Sequence, residues 1–442
     1  MNIREAQNYI DSLGKFGIKP GLERVRLLCE RLGNPQNDLK FIHVAGTNGK
    51  GSVCSYISNI LLAEGIKVGR FTSPAVIEYR ERYWINGRNI SQAAFCRNLQ
   101  AVQEVVRGII EEGNDAPTQF EVETALAFFA FKEAGCEIVV LECGMGGEND
   151  STNIIGAPLV SVITSVSLDH MAVLGRNVEA IAKQKAGIIK KGGHVVCAPQ
   201  VPEVLSVLKA KAALEKNDIV IVGDGDIKNV RWGLKSSSFD FGKYKGLKIS
   251  LVGAYQTENA GVAIAAIESL RKEKIKISEN AIRTGLLNAT WPGRFEIIAN
   301  KPMVIIDGAH NENAALQLAQ SVEYYLHNEE ENGKIIYIFG VLADKNYEAI
   351  AKIMSPHAAH VITVTPPNNQ RALPAQELAS CVSKYHSMVS VADSLTEALE
   401  MAYLLADKES VILTFGSLSF LGEIRQLVES RGTILKKKET KI

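Results

Sequence analysis

A glycine-rich stretch near the start of the chain has the composition of a phosphate-binding loop. It runs Gly46-Thr-Asn-Gly-Lys-Gly-Ser52, after an apolar run that predicts a buried strand and before an amphipathic run that predicts a helix. Backbone N–H groups at a helix start carry partial positive charge, and Lys50 adds a full charge. The general pattern G-x-x-x-x-G-K-[ST] is not met, because Val44 replaces its first glycine and Ser52 comes one residue late. The stretch predicts a phosphate cradle, the alternative being a glycine-rich turn that caps an ordinary helix.

Four polar side chains could hold a magnesium ion beside this stretch. Ser52 closes it, and Ser73, Glu142 and His170 stand at or just after the ends of apolar runs that predict strands. Parallel strands gather ligands at their carboxyl ends, and Mg²⁺ prefers oxygen ligands. His170 would be an unusual additional ligand, and the residue pattern alone favours a structural role for it. A carboxylate that ends a buried strand, by contrast, is costly to desolvate without a partner, so Glu142 is the stronger candidate.

A basic segment lies at the C-terminal end of a helical pattern, at residues 183–191. It contains Lys183, Lys185, Lys190 and Lys191. Cations are favourable at a helix C-terminus, which is a sufficient explanation for lysines in this position. Spacing alone does not separate Lys185 from its neighbours.

The elements that position these residues predict an α/β protein. Apolar runs near 41–45, 67–71, 137–142 and 159–164 alternate with helical patterns, which indicates a parallel, doubly wound sheet. Residues 217–252 change to short alternating segments, which predict a small antiparallel insertion or a sheet edge. After a break at Trp291-Pro-Gly293, a second series of strands and helices begins. We therefore expect two domains, residues 1–292 and 293–442, with polar loops of both sheets facing a cleft.

Composition narrows the classes of partner. The 442 residues carry 49 basic and 49 acidic side chains, so no net charge favours nucleic acid or an anionic membrane. Seven cysteines contain no C-x-x-C pair, which fits a reducing compartment better than a zinc cluster or a disulfide scaffold. No apolar run is long enough to cross a bilayer, and the first residues do not form a signal peptide. We expect a cytoplasmic monomer.

Motifs spread over nearly the whole chain resemble those of one family. The glycine-rich stretch is similar to the nucleotide loop of the Mur ligase superfamily, and the segment 17–24 points more narrowly to the folylpolyglutamate synthase/dihydrofolate synthase family. Further segments that resemble this family, in its order, are Thr72-Ser-Pro74, Phe120-Glu121, Leu141-Glu-Cys-Gly-Met-Gly-Gly147, Asp150-Ser-Thr-Asn153, Leu168-Asp-His170, Lys185-Ala-Gly-Ile188, Pro292-Gly-Arg294, Asp307-Gly-Ala-His-Asn311, Leu342-Ala-Asp-Lys345 and Arg371-Ala-Leu-Pro374.

The resemblance implies a Mur-ligase-like fold: an N-terminal P-loop domain with a mostly parallel sheet and a smaller, Rossmann-like C-terminal domain. It also implies roles for individual residues. ATP would be bound by Thr47, Asn48, Gly49, Lys50, Gly51, Ser52, Val53, Asn259, Arg294, Asp307 and His310. Two Mg²⁺ ions would be held by Ser52, Ser73, Glu142, His170 and Lys185, the last carboxylated on its amine. The pterin side would involve Pro20, Gly21, Leu22, Phe120, Glu121, Asp150, Ser151 and Thr152, and the incoming glutamate Lys345, Arg371 and Ser417.

The implied activity is ATP-dependent ligation of L-glutamate to a folate through an acyl phosphate, with Lys50, Glu142, His170 and Lys185 as the catalytic group. Such chemistry needs positioning and charge neutralisation rather than a protein nucleophile, and no nucleophile signature stands out in the sequence. Ala75, Glu148, Tyr255 and Ser419 depart from the family pattern, which leaves open whether dihydropteroate, a reduced folate or both is the acceptor. Two alternatives remain: a Mur-type ligase acting on a nucleotide-sugar peptide precursor, and a non-catalytic nucleotide switch.

Overall fold

The computed structural model describes residues 1–14, 21–223, 225–326 and 334–439, with side chains up to residue 432. We call the chain before residue 293 the N-terminal part and the remainder the C-terminal part. Each part has its own central sheet, and none of the helices in the described ranges is long and apolar enough to span a bilayer.

The N-terminal part is built on an eight-stranded sheet in the order β4-β3-β2-β5-β1-β6-β7-β8. Its strands are β1 Lys40–Ala45, β2 Val68–Phe71, β3 Tyr83–Ile85, β4 Arg88–Asn89, β5 Ile138–Glu142, β6 Val160–Ile163, β7 His194–Cys197 and β8 Ile219–Ile221. Strands β2, β5, β1, β6, β7 and β8 are parallel to one another, whereas β3 and β4 form a hairpin at one edge, in which β3 is antiparallel to both β2 and β4. The parallel sheet confirms the predicted fold class. The hairpin was not predicted, because strands of two or three residues carry too little pattern to be recognised.

Helices cover both faces of this sheet, as its apolar strands require. They are α1 Ile3–Leu13, α2 Glu23–Arg31, α3 Lys50–Ala63, α4 Gln92–Glu111, α5 Gln119–Glu133, α6 Met171–Leu174, α7 Val178–Ala186, α8 Pro202–Leu214, α9 Gln256–Ser269 and α10 Glu279–Asn288. Strand β1 shows the arrangement: Ile42 and Val44 pack with α3 and α9, whereas Phe41 packs on the other face with α5. The central strand is thus fixed from both sides, and so is the loop that follows it.

The predicted insertion is a three-stranded antiparallel sheet in the order β11-β10-β9. Its strands are β9 Ile227–Arg231, β10 Ser237–Phe241 and β11 Tyr244–Ile249. Phe239 and Leu247 of this sheet join the apolar cluster around α9. The first strand of the region, β8, lies instead at the edge of the main sheet and pairs in parallel with β7, so the region contains both the antiparallel insertion and the sheet edge that were predicted as alternatives.

The C-terminal part has a six-stranded sheet in the order β12-β13-β17-β14-β15-β16. Its strands are β12 Glu296–Asn300, β13 Met303–Ile306, β14 Ile335–Phe339, β15 His360–Val364, β16 Val389–Ala392 and β17 Val411–Phe415, and its helices are α11 Glu312–Leu326, α12 Tyr347–Met354, α13 Ala375–Val382, α14 Leu395–Leu405 and α15 Leu421–Glu439. Five of the strands match the predicted series. The antiparallel edge strand β12 was not predicted, because it is half-exposed and its apolar run, residues 297–299, is only three residues long.

Candidate active site

The carboxyl ends of both central sheets face one cavity. Loops after β1, β2, β5 and β6 form one wall, and loops after β13 and β17 form the other. The predicted site residues that line it are Thr47, Asn48, Gly49, Lys50, Gly51, Ser52, Ser73, Glu142, His170, Lys185, Arg294, Asp307 and His310. Residues up to 263 positions apart in the sequence are therefore brought together at the predicted sheet edges.

The glycine-rich loop turns from β1 directly into α3. Gly49 has a left-handed backbone (φ +84°) as the N-cap of α3, and a β-carbon on it would lie 2.4 Å from Oδ1 of Asn259. A glycine is needed there both for the backbone angle and for the close approach of α9. Thr47 fixes the loop to the neighbouring strand end, because its N–H donates to the carbonyl of Ser165 (2.7 Å) and its hydroxyl accepts from the N–H of Ser167 (3.0 Å). The start of α3 and its N–H groups thus face the cavity.

A lysine and a carboxylate meet at the floor of the cavity. Nζ of Lys50 lies 3.8 Å from Oε1 of Glu142 and donates to the carbonyl of Thr47 at 3.2 Å. The other carboxylate oxygen of Glu142 accepts from the N–H of Ser73 at 3.3 Å. Burial raises the pKa of the Glu142 carboxyl, and the positive charge of Lys50 opposes that rise. The Glu142 carboxylate is buried, and its contacts with Lys50 and the N–H of Ser73 do not fully offset the cost of burying its charge. A cation beside it would therefore be favourable.

Oxygen donors dominate the possible metal ligands at this floor. Ser52 is buried and its hydroxyl accepts from Nε2 of Gln256 at 3.2 Å, while Ser73 lines the same cavity. Among the described residues no three His, Cys, Asp or Glu side chains converge as a metal cluster. One carboxylate with two hydroxyls fits Mg²⁺, which keeps several waters or phosphate oxygens in its shell, and does not fit zinc.

Lys185 is a buried lysine that points its amine to the loop. Its side chain is only 3% exposed, and Nζ donates to the carbonyl of Gly46 at 2.7 Å. Burial and, to a smaller extent, the charge of Lys50 lower the pKa of this amine to about 7. The other lysines of the same segment differ: Lys183 and Lys191 are exposed, and Lys190 donates to backbone carbonyls of residues 153 and 155. The structure therefore separates Lys185 from its neighbours, which the sequence alone could not do.

His170 lies on the rim of the cavity rather than in its floor. Its backbone is left-handed (φ +50°) and it precedes the four-residue helix α6. The imidazole is 42% exposed, and burial of the remainder lowers its pKa while the nearby Asp169 carboxylate opposes the shift. A neutral ring at the rim is available to a ligand.

The opposite wall comes from the C-terminal part. Asp307 is held by the N–H groups of Phe295 and Ala309, both at 2.7 Å, and by the hydroxyl of Tyr255 at 3.3 Å. Burial raises its pKa, and the guanidinium of Arg294 opposes the rise. His310 donates through Nδ1–H to the carbonyl of Gly308 at 2.8 Å, which fixes the ring at the cavity edge.

Three predicted pterin-side residues stand behind the cavity wall. Phe120 packs on Gly144, where a β-carbon would lie 2.5 Å from the ring. Asp150 accepts from the N–H of Met145 at 2.7 Å and from the hydroxyl of Thr152 at 2.5 Å. Gly144 and Met145 themselves line the cavity. Phe120 and Asp150 therefore support the part of the cavity wall that Gly144 and Met145 form, without lining the cavity themselves.

Several other predicted residues are not in the cavity lining. Val53 has its side chain in the core, and the carboxylate of Glu121 is occupied by the N–H of Thr118 (2.6 Å) and by Arg24 (2.9 Å). Arg371 is exposed and pairs with Asp344 at 3.4 Å. Ser151 is buried in a short 3₁₀ helix, and Ser417 caps a second 3₁₀ helix that begins with the cavity-lining residue Leu418. Asn259 lies behind Gly49, on the side away from the cavity lining. Gly21 and Leu22 precede α2. Pro20 lies outside the described residues.

Sequence reasoning gave no role to Asp169, which also lines the cavity. Its carboxylate accepts from Nζ of Lys345 at 2.8 Å and from Nδ2 of Asn311 at 3.1 Å. Burial would raise its pKa, but the hydrogen bond with His310 and the charge of Lys345 hold it well below the ordinary value. The sequence does contain a signal for this residue, because Asp169 stands directly before the candidate ligand His170 in the loop after β6.

Two family models match the chain at these same segments. Residues 44–267 match the Mur ligase middle domain, and residues 293–418 match the Mur ligase, glutamate ligase domain. Together with the two sheets and the loop between β1 and α3, they define the protein as a Mur ligase.

The most similar relatives narrow this class. A dihydrofolate synthase/folylpolyglutamate synthase of Bacillus subtilis is 35% identical over 432 residues, covering 96% of this chain and 98% of the relative. A folylpolyglutamate synthase of Lacticaseibacillus casei is 34% identical, with 96% and 98% coverage. The solved structure of Mycobacterium tuberculosis folylpolyglutamate synthase complexed with ADP is 30% identical, with a TM-score of 0.89 and coverage of 96% and 98%. The chain belongs to the folylpolyglutamate synthase/dihydrofolate synthase family, and the predicted resemblance is confirmed.

Proposed function

We propose that this protein is an ATP-dependent ligase that joins L-glutamate to the carboxylate of a folate or a pteroate. The carboxylate oxygen attacks the γ-phosphorus of ATP and ADP leaves, which gives an acyl phosphate. The amine of glutamate then attacks the acyl carbon, loses a proton, and expels phosphate. The observation that carries the proposal is the single cavity in which the glycine-rich loop and Glu142 of one part face Asp307 and His310 of the other.

The nucleotide side of the cavity suits a polyphosphate. N–H groups at the start of α3 carry partial positive charge, and Lys50 supplies a full one beside the loop. Arg294 and Asp307 stand across the cavity, where they would meet the rest of the nucleotide. The structural neighbour from Mycobacterium tuberculosis is complexed with ADP, which supports ATP as the phosphoryl donor.

Ser52, Ser73 and Glu142 are the residues we assign to Mg²⁺, with His170 at the rim. A bound magnesium ion would neutralise charge on the transferred phosphoryl group and orient the substrate carboxylate. Glu142 would be stabilised as the anion by such a cation, because burial otherwise raises its pKa. Lys50 lies close enough to keep this carboxylate ionised before the ion arrives.

Lys185 is our candidate for carboxylation on the amine, which would help to hold a second ion. A lysine must be neutral to react with carbon dioxide, and a pKa of about 7 leaves a large neutral fraction at physiological pH. The product is an anion, so the modification would replace an unfavourable buried cation beside Lys50 with a favourable charge. The carbonyl of Gly46 would keep the nitrogen in place.

The acceptor and glutamate are assigned to opposite ends of the cavity. The wall supported by Phe120, Asp150, Ser151 and Thr152 would face the pterin acid, with Gly21, Leu22 and Glu121 contributing to its support. Lys345 and Ser417 adjoin the wall of the C-terminal part and are the better glutamate candidates, since Arg371 is exposed and paired with Asp344. An Escherichia coli structure in complex with DHPP and ADP, 30% identical with a TM-score of 0.84, supports this class of ligands.

We assign the nucleotide and the acceptor to a domain of residues 1–292, and glutamate ligation to a domain of residues 293–442. The glutamate ligase model begins at residue 293, immediately after the Trp291–Pro292 segment that joins the two sheets. Catalysis would then need both domains, because neither wall of the cavity is complete alone.

Phosphate release is the experiment that tests this function. Purified protein is incubated with ATP, Mg²⁺ and L-glutamate, in parallel with dihydropteroate and with tetrahydrofolate, and the products are identified by mass. We expect phosphate release that depends on both glutamate and a pterin acid. Turnover with both acceptors means a bifunctional enzyme, and turnover with tetrahydrofolate alone means tail extension. If no phosphate is released with either acceptor although the protein binds ATP, the proposal is overturned in favour of another Mur-type substrate.

A further inference from the structure

Asp169 joins the two parts of the chain at the edge of the cavity. It lies in the loop between β6 and α6 of the N-terminal part, and its side chain is 9% exposed. Two donors of the C-terminal part reach its carboxylate: Nζ of Lys345 at 2.8 Å to Oδ1, and Nδ2 of Asn311 at 3.1 Å to Oδ2. Nε2 of His310 adds a third contact, at 3.7 Å from Oδ2.

These donors come from two different loops of the C-terminal sheet. His310 and Asn311 follow β13, and Lys345 follows β14. A single, largely buried carboxylate therefore contacts two loops of the C-terminal part at once. Two of its three partners in that part carry or can carry a positive charge, and the backbone N–H of His170 also donates to it at 2.9 Å, so an amide of the same size would not replace the carboxylate.

A second, neutral contact between the parts lies beside it. Asn48 of the glycine-rich loop exchanges hydrogen bonds with Asn311 (3.1 and 3.2 Å) and donates to Oδ1 of Asn313 at 2.8 Å. Asn311 thus links the nucleotide loop to Asp169. The C-terminal part is held both to the loop that would carry the phosphates and to the adjacent carboxylate of Asp169.

We propose that Asp169 is a positioning residue for the glutamate side of the reaction. This inference rests on the proposed function and adds a role for Asp169, which acts through Lys345. By holding the ammonium group of Lys345 against the cavity edge, it presents this cation to the incoming amino acid, whose carboxylates need cations. The same contact docks the C-terminal part onto the nucleotide loop, so that attack by the amine occurs in a closed site.

Steady-state kinetics of Asp169→Asn test the role. We expect the KM for L-glutamate to rise by about tenfold or more and kcat to fall, while the KM for ATP stays within about threefold, because the loop and Lys50 are untouched. The double variant Asp169→Asn/Lys345→Gln should be no worse than Lys345→Gln alone, since Asp169 acts through that lysine. Lys384→Gln is the matched control: its ammonium pairs with Glu348 at 3.0 Å on the surface, outside the cavity, and the change should be silent.

A distance measurement tests docking independently of turnover. The cysteines of the described chain are buried, so fluorophores can be directed to new thiols in Leu214→Cys on α8 and Leu404→Cys on α14, which are both strongly exposed. Asp169→Asn, or Lys345→Gln if the first variant does not fold, should broaden the distribution of distances between the two parts. The comparison is made without substrates.

The outcomes separate this role from its rivals. A fall in the KM for glutamate would mean that Asp169 competes with the substrate for Lys345, which overturns the proposal. Unchanged kinetics, or an additive double variant, would overturn it as well. If the unaltered protein shows no glutamate-dependent turnover, the proposed function fails, and the distance distributions alone then support or reject Asp169 as the docking contact.

Discussion

The indole of Trp291 lies against Gly51 so closely that a β-carbon on this glycine would fall 2.3 Å from the ring. Trp291 belongs to the segment between the two parts of the chain, and Gly51 belongs to the first turn of α3. The ring of Trp291 cannot easily move away from Gly51, because the guanidinium of Arg70 stacks on it. The guanidinium carbon lies 5.0 Å from the centroid of the Trp291 ring and 4.8 Å from the centroid of the Trp84 ring. The phosphate-facing helix start and the connecting segment are therefore in direct contact.

Gly51→Ala should consequently damage both stability and nucleotide binding. We expect a loss of about 1–3 kcal/mol in the free energy of unfolding, which is typical of overpacking, together with weaker binding of ATP. Urea denaturation and a nucleotide titration measure the two effects. Gly108→Ala in α4 is the control, because nothing lies within 4 Å of its β-carbon position and alanine there should stabilise the helix by roughly 0.5–1 kcal/mol. Equal stability changes in the two variants would contradict the crowding at Gly51.

Lys50→Met should reduce turnover strongly and leave the fold intact. The variant removes the cation nearest the site of phosphoryl transfer, and we expect a decrease in kcat of roughly 10²–10³-fold. The buried Glu142 can take up a proton when its partner is lost, since its pKa is already raised, so unfolding is not expected. Phosphate release and far-ultraviolet circular dichroism check the two statements. An active variant would contradict the assignment of Lys50 to the phosphates.

Lys185→Ala should lose ligation and regain part of it when short carboxylates are added. The small side chain leaves room beside the carbonyl of Gly46, where an added carboxylate could take the place of the carboxylated amine. Activity is measured with and without acetate or formate at constant ionic strength. Lys183→Ala, an exposed lysine of the same helix, is the control and should be unaffected. Full activity of the Lys185 variant without added carboxylate would mean that this lysine is only structural.

The strand ends could be predicted from the sequence because an apolar run predicts a buried strand. The carboxyl ends of parallel strands lie at the same edge of the sheet, so the residues that follow them are expected to be close together. That logic places Ser73, Glu142 and His170 correctly around the loop. The sequence could not reveal which lysine of residues 183–191 turns inward, because periodicity does not resolve a single residue at a helix end. Nor could it show that Asp169 meets Lys345, since a contact across 176 residues depends on how the two parts are docked.

The same distinction applies to side chains behind the cavity. Phe120 and Glu121 are neighbours in one motif, yet the first packs on Gly144 at the cavity wall and the second caps α5 and pairs with Arg24. A resemblance identifies the segment, whereas the direction of each side chain is set by the helix it belongs to.

His43 makes the stability of the fold depend on pH. It lies in the middle of β1, fully buried, with Nε2 bonded to the hydroxyl of Thr152 at 2.8 Å, while Nδ1 finds no hydrogen-bond partner in the described part of the chain. Burial and, to a smaller extent, the charge of Lys190 lower the pKa of the ring to about 3. Between that value and an unfolded pKa of about 6.5, the unfolded chain binds a proton that the folded chain does not, so stability falls as the pH is lowered through this window.

For His43 this loss reaches about 2 kcal/mol at pH 5, because the medium is then 1.5 pH units below the unfolded pKa. His43→Gln keeps a polar group near the position of Nε2 and cannot titrate. We therefore expect urea denaturation to show a decrease in stability between pH 7.5 and pH 5 that is about 2 kcal/mol smaller in the variant than in the unaltered protein. His386→Gln, which removes a half-buried histidine from a turn, controls for the loss of a histidine as such. Parallel pH profiles for the unaltered protein and His43→Gln would mean that the ring is hydrated or charged inside the sheet, and would contradict the packing of His43 against Thr152.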